Sequence, residues 1–136
     1  SGGLGGSLGR TCMGVVVIEL VLPYPPSANR YWRHPTKGRL AGRHLISREG
    51  RAYRSHVGWV TTFGAPITGR VGLTLTVCPP DRRKRDLDNV LKASLDALTH
   101  AGAWHDDSQI DQMIVSRGAL VKRGSLIVEI HELGDE

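Results

Sequence analysis

The alternation of apolar and polar residues along the chain predicts four strands. Residues 15–22 and 70–78 are rich in β-branched side chains, and prolines follow both runs, as expected of strands. Two later β-prone runs, 110–121 and 125–132, are separated by a short basic segment that ends in glycine, residues 122–124. This spacing predicts that the last two strands form a hairpin.

Apolar residues at helical spacing predict two main helices. The first begins after Ser47, its predicted N-cap, includes Gly50 and continues to about residue 63. The second covers 86–101 and ends at Gly102, which favours the left-handed C-cap conformation. Residues 27–45 are predicted to form a long basic loop before the first helix. The expected fold class is therefore α+β, with a single small sheet of about four strands carrying two main helices.

Length and composition predict one domain. A chain of 136 residues can bury one modest core. The glycine-rich residues 1–14 are predicted to be a flexible leader, followed by a domain over 15–136. No apolar run is long enough to cross a bilayer, so we expect no membrane partner. With two cysteines, Cys12 and Cys78, a disulfide framework is not expected, and a reducing compartment is favoured.

Basic and acidic residues occupy different parts of the chain, whose net charge is +5. Residues 30–54 contain eight basic residues and one acid, Glu49, whereas seven aspartates fall within 81–111. A basic segment of this kind is either a solvated surface or a binding site for a polyanion. Its combination with an acidic pocket is typical of a nuclease.

Four consecutive basic residues, 82–85, directly precede Asp86 and Asp88 at a predicted helix start. Two carboxylates at this spacing can bind one hard cation such as Mg²⁺ or Mn²⁺, which prefers oxygen ligands. A helix N-terminus also favours a carboxylate as a cap, which is the alternative role for Asp88. Lys92 follows one helical turn later and could either pair with Asp88 or stabilise charge on a phosphate oxygen.

Two adjacent acids, Asp106 and Asp107, follow the second predicted helix. Adjacent acids in a loop commonly form turns. If the chain folds back to the first turn of the helix, Asp107 joins Asp86 and Asp88 in one site, but spacing alone does not decide this.

Aromatic and basic residues are interleaved near the start of the predicted loop. Tyr31 and Trp32 could stack on unpaired bases or pack against the sheet. The residues expected to grip phosphates are Arg30, Arg33, Arg82, Arg83, Lys84 and Arg85.

The chain resembles the RusA family of Holliday junction resolvases in three segments: LPYPPSANRYWRH, ISREGRAYR and DRRKRDLDNVLKASLDALTHAGAWHDDSQI. The likeness extends from Glu19 to the end of the chain. It implies metal binding by Asp86, Asp88 and Asp107 and a catalytic role for Lys92. It also implies supporting roles for Asn89 and Asp106.

The resemblance implies a Mg²⁺-dependent crossover junction endodeoxyribonuclease, with Mn²⁺ able to substitute. Such an enzyme would be a homodimer that resolves four-way DNA junctions by paired nicks during recombination and repair. We expect hydrolysis by a metal-activated water and a cytoplasmic location, at the nucleoid of a bacterium that encodes the protein or carries a phage encoding it. The alternatives are a non-catalytic junction- or single-strand-binding protein, and a structure-specific RNase or flap nuclease.

Overall fold

The computed structural model describes residues 15–39, 41, 42 and 45–133. Within these ranges the elements are β1 (Val15–Pro23), α1 (Ala28–Tyr31), β2 (Trp32–Arg33), β3 (Leu45–Ile46), α2 (Arg48–Val60), β4 (Val71–Cys78), α3 (Leu91–Ala101), β5 (Ile110–Arg117) and β6 (Ser125–Glu132). Two short 3₁₀ turns, Leu87–Val90 and Asp107–Gln109, precede α3 and β5. The predicted leader 1–14, including Cys12, lies outside the described residues, and the domain boundary at residue 15 stays a prediction.

The main sheet has four strands in the order β1-β6-β4-β5. β6 is antiparallel to both of its neighbours, whereas β4 and β5 are parallel. Parallel neighbours need a crossover connection, and α3 provides it between β4 and β5. β2 and β3 form a second, two-stranded antiparallel sheet. The predicted α+β class, with a four-stranded sheet and two main helices, is confirmed.

The core lies between one face of the main sheet and the two longer helices. Leu73 and Leu75 of β4 are buried in one cluster with Val57 of α2 and Leu98 of α3. Thr74, which points to the opposite face of the sheet, is only partly buried. This alternation buries the apolar face of the sheet. Burial of apolar surface is the dominant favourable term in folding. None of the helices in the described residues is long and apolar enough to cross a bilayer.

The predicted hairpin between the last two strands is wrong. β4 lies between β5 and β6, and β5 ends at Arg117, before the predicted end at residue 121. A turn does form before β6, with positive φ at Arg123 and Gly124. It connects strands that are not neighbours, because pairing depends on tertiary packing and not on the pattern within each strand.

The segment 27–45, which we predicted to be a loop, contains α1 and contributes to the small second sheet. α2 begins at Arg48, directly after the predicted N-cap Ser47, whose side chain accepts a hydrogen bond from the Gly50 amide at 2.9 Å. It ends at Val60, before the predicted end near residue 63. The second predicted helix begins with a 3₁₀ turn, Leu87–Val90, before its α-helical part.

Candidate functional site

A cleft of about 430 Å³ opens between the chain that leaves β1 and the loop that follows β4. The charged residues that line it are all cations: Arg30, Arg83, Lys84 and Arg85. Tyr24, Ser27, Pro80 and Asn89 also line this basic cleft, and none of them was predicted from sequence to contact a phosphate. Four cations around one concave surface suit the binding of a phosphate backbone.

Arg85 contributes to the wall of the cleft through contacts within the protein. Its guanidinium donates to the Asp81 carboxylate at 2.7 Å and lies 5.9 Å from the centroid of the Tyr24 ring. The hydrogen bond from Arg85 is the main reason that the pKa of Asp81 falls to about 2. The Arg85 side chain is 18% exposed, whereas Arg83 and Lys84 are exposed and more accessible to a phosphate.

The other predicted phosphate contacts are exposed but differ in position. Arg30 pairs with Glu49 at 2.5 Å on the surface, where such pairs are weak and can be exchanged for another anion. Arg33 in β2 and Arg82 in the loop after β4 are exposed, although neither lines the cleft.

The carboxylates of Asp86 and Asp88 lie in the turn that also presents Asn89 to the cleft. Asp86 occupies the N-cap position, yet its side chain makes no capping hydrogen bond. Asp88 lies inside the turn and not at its N-cap position, so the capping role considered for Asp88 is wrong. Both side chains are exposed, and neither has a hydrogen-bond or ion-pair partner among the described residues. They remain available as ligands of a cation.

Asp107 lies at the other end of the β4–α3–β5 unit. It opens the turn before β5, whose first residue is aligned with the first residue of β4. Asp86 and Asp88 instead follow the end of β4, where the Arg85 carbonyl accepts a hydrogen bond from Arg117 at 3.0 Å. Strands of eight residues are about 20–25 Å long. Within one chain, Asp107 is therefore too distant to share an ion with the other two aspartates.

The connection after α3 thus does not return to the start of the helix, and the hypothesis of a three-aspartate site within one chain is wrong. The helix has eleven residues, and as the crossover it carries the chain to the opposite edge of the fold. Among the described residues, no group of three or more His, Cys, Asp or Glu side chains is placed to hold a metal ion. One chain contributes the Asp86 and Asp88 pair at one end and Asp107 at the other.

Asp106 and Gln109 hold the turn that presents Asp107. The Asp106 carboxylate accepts a hydrogen bond from the Ser108 amide at 2.9 Å, and the Gln109 side chain accepts one from the Asp106 amide at 2.9 Å. Hydrogen bonding from Ser108 lowers the pKa of Asp106. The Gln109 amide also donates to the Ile67 carbonyl at 2.7 Å. Asp106 therefore forms the turn, as expected of one of two adjacent acids, and Asp107 is left exposed.

Lys92 is exposed at the start of α3, and no ion pair joins it to Asp88. It lines a shallow pocket of about 320 Å³ together with Asn29, Trp32 and His34. The Trp32 indole nitrogen is buried without a hydrogen-bond partner in the described part of the protein. The sequence analysis did not predict that Lys92 shares a pocket with these residues. The one feature of the sequence that pointed to the pocket is that its other residues all fall within the motif LPYPPSANRYWRH.

Tyr31 is buried and cannot stack on a base, so that alternative is wrong for this residue. Its hydroxyl donates to the Asp96 carboxylate, which also accepts from the Arg54 guanidinium at 2.8 Å. The Tyr31 ring meets the half-buried Trp32 ring edge-on at 5.1 Å. Asp96 therefore joins α3 to α1 and α2.

A model of the family described as Endodeoxyribonuclease RusA matches residues 23–131. The chain belongs to the RusA endodeoxyribonuclease family. Its sequence is 42% identical over 121 residues to the crossover junction endodeoxyribonuclease of Enterobacteria phage 82, covering 87% of this chain and 97% of that protein. The proteins of the same name from Escherichia coli K12 and Shigella sonnei are 41% and 42% identical with the same coverage.

Membership of the RusA family confirms the resemblance found in the sequence and the enzyme class inferred from it, a hydrolase that cleaves DNA internally. The family also implies a requirement for a divalent metal. The roles of individual residues stay predictions, because they follow from chemistry and placement within this chain.

Proposed function

We propose that this chain cleaves four-way DNA junctions as a homodimer, in DNA recombination and repair, using Mg²⁺ or Mn²⁺. One observation carries the proposal: in a RusA family chain, the exposed carboxylates of Asp86 and Asp88, which have no partner among the described residues, adjoin a cleft whose charged residues are all basic. The organisms of the relatives, enterobacteria and a phage, support action on the nucleoid in the bacterial cytoplasm.

The donor set fits a hard divalent cation. Mg²⁺ takes oxygen ligands and usually only one or two protein carboxylates, retaining several waters. Asp86 and Asp88 offer such oxygens without first breaking an ion pair to any residue that the structure describes. When bound, the cation would lower the pKa of a coordinated water and offset charge on the phosphate that is attacked.

The chain's own groups position the DNA around this pair of acids. Arg83 and Lys84 bind phosphates along the basic cleft, and Arg85 holds the loop that presents them. Asn89 lines the same cleft one residue after Asp88 and can hydrogen-bond a phosphate oxygen. Lys92 lies one turn further along, where its ammonium group can stabilise charge that develops on the phosphate.

The third acid comes from the second protomer in this proposal. Asp107 and the Asp86–Asp88 pair lie at opposite ends of the β4–α3–β5 unit. A two-fold axis can therefore bring the partner's Asp107 to Asp86, and it does so twice in each dimer. Two centres related by a two-fold axis match the near two-fold symmetry of a four-way junction, which accounts for paired nicks.

Mixing two inactive variants tests this proposal. Asp86→Asn and Asp107→Asn should each bind a synthetic four-way junction but fail to nick it with Mg²⁺ or Mn²⁺. A refolded equimolar mixture should recover nicking, because each mixed dimer keeps one centre with both native contributions. Random assortment leaves about a quarter of the centres intact, so the recovered rate should be at most about a quarter of the wild-type rate. Because each mixed dimer has one intact centre, it should make single nicks and not paired ones.

The controls are a flap, a linear duplex and an RNA junction, all assayed with the same protein. Differently tagged copies that co-purify verify that mixed dimers have formed. No recovery in verified mixed dimers would mean that the acids act within one chain. Undiminished nicking by either variant alone would remove that aspartate from the centre.

A further inference from the structure

The outer edge of β5 lacks the features that usually protect an exposed strand. β5 ends the main sheet and, among the described residues, pairs only with β4. Its middle, residues 112–116, has no charge and no proline, and Met113 and Ile114 are 40% and 47% exposed. At the opposite edge, β1 carries Glu19 and ends at Pro23. Charges and prolines commonly block edge-to-edge pairing, so β5 is the edge that remains able to pair.

We propose that β5 pairs antiparallel with β5 of a second copy of this chain, with Ile114 opposite its own copy on the two-fold axis. The two sheets then join into one continuous sheet of eight strands. Cross-strand neighbours share a face of the sheet, so an axis perpendicular to the sheet must place some residue of β5 opposite itself. The pairing follows from the edge strand, whereas its catalytic consequence rests on the proposed function.

The charges of β5 select Ile114 as the position on the axis. Asp111 and Arg117 are the two charged residues of the strand, and each is three residues from Ile114. An axis at Ile114 therefore places Asp111 opposite the partner's Arg117 at both ends of the paired strands. Opposite charges facing each other across strands stabilise the pair. Both side chains are exposed in the single chain. Asp111 pairs with Arg70 at 2.5 Å on the surface, where such a pair is weak, so Asp111 can also face the partner's Arg117.

The same axis brings the separated acids together. Asp107 lies three residues before the first residue of β5, so antiparallel pairing places it beyond Arg117, the last residue of the partner's β5. Within each chain, Arg117 donates a hydrogen bond to the Arg85 carbonyl at 3.0 Å, next to Asp86. Paired strands are about 4.8 Å apart. The interface thus places Asp107 beside the partner's pair of acids.

Charge reversal at the axis tests the interface. Ile114→Glu or Ile114→Lys alone places like charges opposite each other, so each variant should be monomeric by size exclusion with light scattering and should not nick a junction. Their equimolar mixture should form dimers and regain nicking, because Glu then faces Lys. Recovery in the mixture also shows that both variants fold.

Ile127→Glu is the matched control. Ile127 is 36% exposed on the face of the sheet away from the helices, in β6, which has neighbours on both sides. This variant should stay dimeric and active. A dimeric Ile114→Glu protein, or a monomeric Ile127→Glu protein with no rescue at Ile114, would overturn the pairing of β5. The Asp86 and Asp107 mixture reports separately on the shared centre, so failure of the interface and failure of the proposed function give different results.

Discussion

Two buried tyrosines connect the segment that carries Arg30 to the rest of the fold. The Tyr53 hydroxyl donates to the Pro23 carbonyl at 2.7 Å, and the Tyr31 hydroxyl donates to Asp96. Burial is the main cause that raises the pKa of both phenols. At the scale of single residues, these groups join α1 and α2 to β1 and α3, and thereby support one wall of the basic cleft.

The raised pKa of Tyr53 predicts a loss of stability at alkaline pH. A phenol with a higher pKa in the folded state contributes its full stabilisation below about pH 10, its pKa in the unfolded chain, and loses it as pH rises towards the folded pKa. Each such tyrosine lowers the free energy of unfolding by about 1.4 kcal/mol per pH unit in that range. Urea unfolding between pH 8 and pH 11 measures this slope.

Tyr53→Phe is the comparison for that slope. It should be about 1 kcal/mol less stable than the wild type at pH 8, because the Pro23 carbonyl loses its donor. Above pH 10 the difference should shrink, because the variant has one fewer buried phenol to ionise. A constant difference across the whole range would show that Tyr53 does not ionise on unfolding.

At the scale of elements, α2 packs closely against the segment before it at one position. A Cβ atom at Gly50 would lie 2.5 Å from the Tyr31 carbonyl oxygen and 2.6 Å from the Ile46 Cγ1 atom. The absence of a side chain there lets the first turn of α2 approach the end of α1. Gly58, in the same helix, has no atom of the described residues within 4 Å of the corresponding position.

The two glycines therefore predict opposite effects of the same substitution. Gly50→Ala should lower the free energy of unfolding by about 1–3 kcal/mol, because the Tyr31 carbonyl must move. Gly58→Ala should raise the free energy of unfolding by about 0.5–1 kcal/mol, because alanine has a higher helix propensity than glycine at an exposed position within a helix. Thermal or urea unfolding compares the variants. Equal effects at the two positions would contradict the close approach at Gly50.

At the scale of the whole molecule, the basic cleft lies at one end of the β4–α3–β5 unit. The basic cleft and the Asp86–Asp88 pair are built from the loop after β4 and the turn that follows it, while Asp107 lies at the far end. The single chain therefore presents a basic surface with two of the three acids that we propose for the centre. In the proposed dimer, a second copy related by a two-fold axis supplies the third acid at both centres.

Binding through this surface predicts a defined salt dependence. Arg83→Ala should weaken binding to every junction sequence and reduce the slope of log K against log salt by about one, because one phosphate contact is lost. Arg48→Ala, which removes an exposed cation outside the cleft lining, should leave the slope unchanged. Fluorescence anisotropy at several salt concentrations provides both slopes. An unaltered slope for Arg83→Ala would mean that Arg83 contacts no phosphate.

The sequence by itself determined the features that depend on neighbouring residues. The Ser47 N-cap, the left-handed Gly102 at the end of α3 and the runs that form β1 and β4 follow from local hydrogen bonding and alternation. The motif 81–110 was also sufficient to indicate the family, because its acids, basic run and apolar positions agree in register.

Tertiary structure decided what depends on residues that are distant in the chain. The parallel pairing of β4 with β5 displaced the expected hairpin, and the crossover through α3 separated Asp107 from Asp86. Tyr31 is likewise buried in the core, where it cannot stack on a DNA base. Spacing along the chain cannot determine these outcomes. Strand order and the direction of a connection depend on how the apolar faces of all the elements pack against one another.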